Sequence, residues 1–93
     1  MTKEDVFGKI RNFLVPKGAR EISVFGSYTR ENNKSNHIDL LVDFFDGKSL
    51  FDLVLIEEEL SAFIGIKVDL LSKRGFTPYL IDEIMNSRKI IYQ

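Results

Sequence analysis

Phe25-Gly26-Ser27-Tyr28-Thr29-Arg30, followed after a polar stretch by His37-Ile38-Asp39-Leu40-Leu41-Val42-Asp43, is the part of the chain that decides the fold. The first piece ends an apolar run on a Gly-Ser turn, and the second carries an aspartate inside a run of Ile, Leu and Val. Gly26 permits a turn geometry and a close backbone approach that a Cβ would block. A short helix starting at Ser27 would aim its free N–H groups and the Ser hydroxyl at an anion above the turn. Taken alone, Gly-Ser is a common turn dipeptide. In a strand, positions i and i+2 face the same way, so His37, Asp39 and Asp43 share one face. Because Mg²⁺ is held by one or two carboxylates together with substrate phosphates, turn and strand together read as a site for a triphosphate and a divalent metal.

Working outward, Thr2 is placed to cap a helix with apolar residues Val6, Phe7, Ile10, Phe13 and Leu14 at helical spacing, stopped by Pro16 and Gly18. Asp5 suits the positive end of that helix. Residues 21–25 alternate as a short strand that runs into Gly26, and 29–36 read as an exposed polar loop. Residues 37–45 read as a central strand covered on both faces, ended by the Asp46-Gly47 turn. Ser49 with Asp52 opens a second helix, with Leu50, Leu53, Val54, Leu60, Phe63 and Ile64 as its apolar positions and Gly65 at its end. Within it, Glu57-Glu58-Glu59 reads as a solvated face.

Residues 66–71 form a third strand, and Thr77-Pro78 opens a third helix with Leu80, Ile81, Ile84 and Met85. The tail Lys89-Ile90-Ile91-Tyr92 is a short last strand or a partner-facing edge. The order predicts one α/β (α+β) domain over residues 1–93, a small mixed sheet flanked by helices. Asp69, on the third strand, adds a second carboxylate beside Asp39 if the two strands are neighbours, a layout suited to metal-assisted transfer at phosphorus. Asp43 reads as a strand-end carboxylate, and Tyr28 as packing beside the turn. Arg30 either neutralises phosphate charge or faces solvent.

Gly26-Ser27 with Arg30, then Ile38-Asp39-Leu40-Leu41-Val42-Asp43-Phe44, then Lys67-Val68-Asp69-Leu70, in that order resemble the minimal nucleotidyltransferases of the DNA polymerase beta-like superfamily. The resemblance covers nearly the whole chain and implies the nucleotidyltransferase fold. It also implies transfer of a nucleoside monophosphate, AMP from ATP, to a hydroxyl acceptor. By position, it implies that Gly26, Ser27 and Arg30 bind the nucleotide phosphates. Asp39 stands for the second aspartate of a metal-binding pair, and Asp69 for a third that helps activate the acceptor hydroxyl. The metal it implies is Mg²⁺, with Mn²⁺ as the alternative. Small members of this family are often paired with a helical HEPN-domain protein, as antitoxin to its toxin, and modify a tyrosine on it.

One position departs from that pattern: His37 stands where the first aspartate is expected. Imidazole is a poor ligand for Mg²⁺ but binds Mn²⁺ or Zn²⁺. His37 therefore either changes the metal preference, leaves a one-metal site of reduced activity, or marks a degenerate copy that acts by binding its partner. It also reads as a polar residue at the strand mouth, hydrogen-bonded to the loop.

Composition narrows the rest. At 93 residues there is room for one core. A hydrophobic share of 44% suits a compact protein, and a formal charge of -1 supplies no basic face for extended nucleic-acid binding. There is no cysteine for a disulfide or thiolate site. The charged first residues lack a signal-peptide core, and no apolar run reaches the ~18 residues of a membrane span. These features predict a cytoplasmic protein. Whether the chain self-associates stays open.

Overall fold

The computed structural model describes residues 2–29, 37–75 and 78–93. Helix α1, Lys3–Leu14, begins at the expected cap: the Asp5 amide donates to Thr2 Oγ1 at 3.1 Å, and the Thr2 amide donates to the Asp5 carboxylate at 3.0 Å. Two N–H groups that the first turn leaves unpaired are thus satisfied reciprocally. A 3-10 turn, Val15–Lys17, follows, and Gly18 at φ 96° turns the chain back. Strand β1, Ala19–Phe25, starts two residues earlier than its alternation suggests, because a bulge between Ala19 and Glu21 lets Ala19 pair with Phe44.

Strand β2, His37–Phe44, is antiparallel to β1. It ends one residue before the expected position: Phe45 is 62% exposed, and its amide bonds instead to the Gly18 carbonyl at 2.9 Å. Helix α2, Leu50–Ile64, repeats the capping box with Ser49 and Asp52. It returns the chain so that strand β3, Lys67–Ser72, lies parallel to β2. Helix α3, Pro78–Ser87, starts on proline as expected, whereas Thr77 lies outside the described residues. The tail forms strand β4, Lys89–Tyr92, antiparallel to β1, giving a mixed sheet of order β3-β2-β1-β4.

Alternation sorts the two faces of this sheet. Ile22, Val24, Ile38, Leu40, Val42, Phe44, Val68 and Leu70 pack against Val6, Phe7, Ile10 and Leu14 of α1 and against Ile56, Leu60 and Ile64 of α2. Burying each such side chain contributes about 1.5–3 kcal/mol before entropy is counted. The inward stripe of α2 is therefore Ile56-Leu60-Ile64: Leu60 and Ile64 are buried and Leu53 packs beside them as expected, and Ile56 joins them unexpectedly. Leu50, Val54 and Phe63 are largely exposed, with Phe63 stacked on Phe13 at a centroid distance of 5.6 Å.

The same helix closes the outer edge of β3. Ser61 Oγ accepts the Val68 amide at 2.9 Å, and the Glu57 carboxylate accepts the Leu70 amide at 2.7 Å. Glu57 is thus no solvated residue, unlike its exposed neighbours Glu58 and Glu59. Covering those amides removes a template for strand addition.

The opposite face of the sheet carries the polar residues. Buried Ser23 and part-buried Glu21 accept from Arg88 Nη1 at 3.0 and 2.6 Å, and Lys73 reaches Glu21 at 3.4 Å. Burial pushes the Glu21 carboxyl up, but the Arg88 hydrogen bond and the Arg88 and Lys73 charges outweigh it and hold the group below its ordinary value. Among the described residues, no helix is long and apolar enough to cross a membrane.

Candidate functional site

Three sequence-distant pieces meet at one end of the sheet. The parallel register of β2 and β3 puts Asp39 opposite Asp69 and His37 opposite Lys67. The antiparallel register of β1 and β2 puts Phe25 opposite Asp39, so the turn after Phe25 starts beside that carboxylate. The condition stated for Asp69, that its strand neighbour β2, is met. Gly26 opens a 3-10 turn, Gly26–Thr29, at φ 73°. A Cβ at this position would lie 2.6 Å from Asp39 Oδ2. Glycine is therefore needed twice, for the left-handed backbone and for the close approach of the carboxylate.

His37 Nε2 lies 2.9 Å from Asp39 Oδ1 and 2.7 Å from Asp69 Oδ2, joining the two strands through one ring nitrogen. His37 thus contacts both carboxylates, while the loop expected to bond it lies outside the described residues. The hydrogen bond to Asp39 raises the affinity of the imidazole for a proton. Burial opposes this, the Asp39 and Asp69 charges add to it, and Lys67 works against it. Their sum lifts the His37 pKa above its ordinary 6.5. The side chains of His37, Asp39 and Asp69 are 39%, 25% and 39% exposed, so all three meet solvent and whatever it carries. Among the described residues, they form a group whose ligand atoms lie within 4.8 Å of one another. An imidazole nitrogen and two carboxylate oxygens at that spacing have the chemistry to hold one divalent cation.

Asp43 shares the face of Asp39 but not its surroundings. It is buried, contacted by the Arg20 guanidinium through Nη2 and, at 3.0 Å, through Nε, with Arg74 Nε at 3.7 Å. Its reading as a strand-end carboxylate stands. Tyr28 packs as expected, edge-on to Phe7 at 6.2 Å, and burial raises its hydroxyl pKa. Ser27 contributes to the turn by its backbone, its side chain lying outside the described part, and Arg30 lies outside the described residues altogether. One contact had no signal in the sequence. Lys3 Nζ reaches over 25 positions to donate to the Tyr28 carbonyl at 3.0 Å, tying the start of α1 to the turn.

Residues 8–93 match the family described as polymerase beta, nucleotidyltransferase. A Methanocaldococcus jannaschii chain described as a candidate protein adenylyltransferase, MJ0435, is 40% identical over 87 residues, spanning 92% of this chain and 94% of that one. The protein adenylyltransferase MntA of Thermococcus cleftensis is 38% identical over 76 residues, spanning 81% of this chain and 75% of that one. In shape, the chain is similar to one in the complex of tri-AMPylated Shewanella oneidensis HEPN toxin with its MNT antitoxin. The TM-score there is 0.84 at 20% identity, over 98% of this chain and 72% of that chain.

Proposed function

The chain belongs to the polymerase beta nucleotidyltransferase family, and we propose that it transfers AMP from ATP to a hydroxyl of a partner protein. One observation carries this reading: Asp39 and Asp69 stand opposite each other on parallel neighbours, directly beside the Gly26 turn. The name protein adenylyltransferase, borne by relatives near 40% identity, gives the reaction class. In the transfer, the acceptor oxygen bonds to the α-phosphorus of ATP, the bond from that phosphorus to the β-phosphate oxygen breaks, and pyrophosphate leaves. Asp69 takes the proton of the acceptor hydroxyl. The turn N–H groups, the Ser27 hydroxyl and Arg30 hold the phosphates.

Asp39 and Asp69 would hold a divalent ion, and the fit is supported by their shared register and by part-exposed carboxylate oxygens within 4.8 Å of one another. When bound, such an ion offsets the phosphate charge and stabilises the departing pyrophosphate. A short sheet with few helices leaves little room for an acceptor pocket, so the acceptor is presented by a second protein. The HEPN toxin seen with the structurally similar MNT antitoxin supplies the candidate class, and this chain would be its antitoxin.

A second reading is favoured by His37. A protonated imidazole between the two carboxylates supplies the positive charge that a metal would, which suits a copy that neutralises its partner by contact. ATP labelled at the α-phosphate separates the two. Label moving to a HEPN-type partner, with none moving from γ-labelled ATP and none with Asp39→Asn or Asp69→Asn, supports the enzyme. Tight binding of the partner without label transfer under Mg²⁺ or Mn²⁺ supports the contact reading.

A further inference from the structure

We propose that His37 is a metal ligand, and that it turns this site away from Mg²⁺ toward a single first-row transition ion such as Mn²⁺, Co²⁺ or Zn²⁺. The inference rests on the metal-binding part of the proposed function and goes beyond it in naming the ligand set, the stoichiometry and the class of ion.

The donor spacing is the first support. Ligands at right angles around an ion, with bonds of about 2.1 Å, lie about 3 Å apart. His37 Nε2 stands 2.9 Å from an Asp39 oxygen and 2.7 Å from an Asp69 oxygen, and the three ligand atoms lie within 4.8 Å of one another, so side-chain movement would let one ion take all three. The backbone holds them in place for this. His37 and Asp39 are i and i+2 on one face of β2, and Asp69 is opposite Asp39 on β3.

Chemistry and charge point the same way. Imidazole nitrogen suits Zn²⁺, Co²⁺ and Mn²⁺, whereas Mg²⁺ demands hard oxygen ligands and gives up water reluctantly. A third carboxylate would give the site three negative charges, enough to hold two dications close together. A neutral imidazole leaves two, which one dication balances. Lys67, opposite His37 in the register, adds a positive charge nearby. In the nucleotide-free chain, a second cation about 3.5–4 Å from the first would meet repulsion that no further side-chain charge of this group compensates.

The test is metal binding, measured without the reaction. Chelator-stripped protein is titrated by calorimetry with MgCl₂, MnCl₂ and CoCl₂, and the imidazole is followed by NMR. The chain has a single histidine, so its ring signals are unambiguous. The expected result is one Mn²⁺ or Co²⁺ per chain, bound at least about tenfold more tightly than Mg²⁺, with the ring signals shifted by Co²⁺. His37→Asp should narrow that preference by about tenfold or more, and His37→Gln should lose Co²⁺ affinity while folding normally by circular dichroism. If ion binding needs Asp39 but is indifferent to both His37 variants, and the ring signals stay put, this inference falls and the proposed function stands. If the stripped wild-type chain binds no ion, both the inference and the metal part of that function fall.

Discussion

Gly26→Ala puts a methyl group where the turn passes Asp39, and the structure separates its two effects. The first is conformational: at φ 73° a residue with a Cβ costs about 1–2 kcal/mol relative to glycine. The second is local, because the new Cβ would stand 2.6 Å from Asp39 Oδ2, nearer than any real carbon–oxygen contact. The short Asp39 side chain must swing aside by several tenths of an ångström, and its 2.9 Å contact with His37 goes with it.

Gly65 provides the control. It has φ 72° at the end of α2, and a methyl group added there would meet nothing within 4 Å, so Gly65→Ala carries the first cost alone. Gly65→Ala should lose about 1–2 kcal/mol in urea unfolding and Gly26→Ala at least as much, a Tm fall of roughly 4–8 °C per kcal/mol for a chain of this size. Only Gly26→Ala should also lose AMP transfer, by on the order of tenfold, since a full 1 Å displacement of a positioned group costs about 10²-fold and this one is about half as large. Equal transfer by the two variants at matched folded fraction would refute the role given to the approach of Gly26 to Asp39.

Other consequences concern the supports of the site. Glu57→Ala strips the Leu70 amide of its acceptor at the sheet edge, which should cost about 1–3 kcal/mol in urea unfolding and raise light scattering on heating. Glu57→Gln, which keeps an acceptor oxygen, should recover most of the loss. Arg88→Met should lower stability at pH 7 and change its acid dependence. In the fold, the Glu21 carboxyl sits below its ordinary 4.5, so the unfolded chain binds its proton first as the pH falls. The stability this gives is complete above pH 4.5 and drains away as pH drops through the lower folded value. The gap between wild type and Arg88→Met in urea midpoint should therefore narrow from pH 7 to pH 3.

How far the sequence carries depends on the range of each signal. Thr2 with Asp5 and Ser49 with Asp52 are local patterns, and both capping boxes form. Helix α2 is harder, because Leu50, Phe51, Leu53, Val54, Leu55 and Ile56 put apolar residues on every side of it. With periodicity that weak, only contact with the sheet selects the inward stripe, so spacing misses buried Ile56 and includes exposed Leu50. The site divides in the same way. Alternation alone places His37 and Asp39 on one face. The contact of His37 with Asp69, and the meeting of Gly26 with Asp39, depend on strand registers that no local pattern encodes. The task of Glu57 is hidden for a similar reason, since its partner amide lies 13 residues away on another element.

Transfer of AMP onto another protein is read by intact-mass spectrometry of a HEPN-type partner after incubation with the chain, ATP and Mg²⁺ or Mn²⁺. The partner mass should rise by whole AMP units, with one pyrophosphate released per unit and neither seen with Asp39→Asn. A partner that is bound and silenced by the chain at unchanged mass would rule the transfer out.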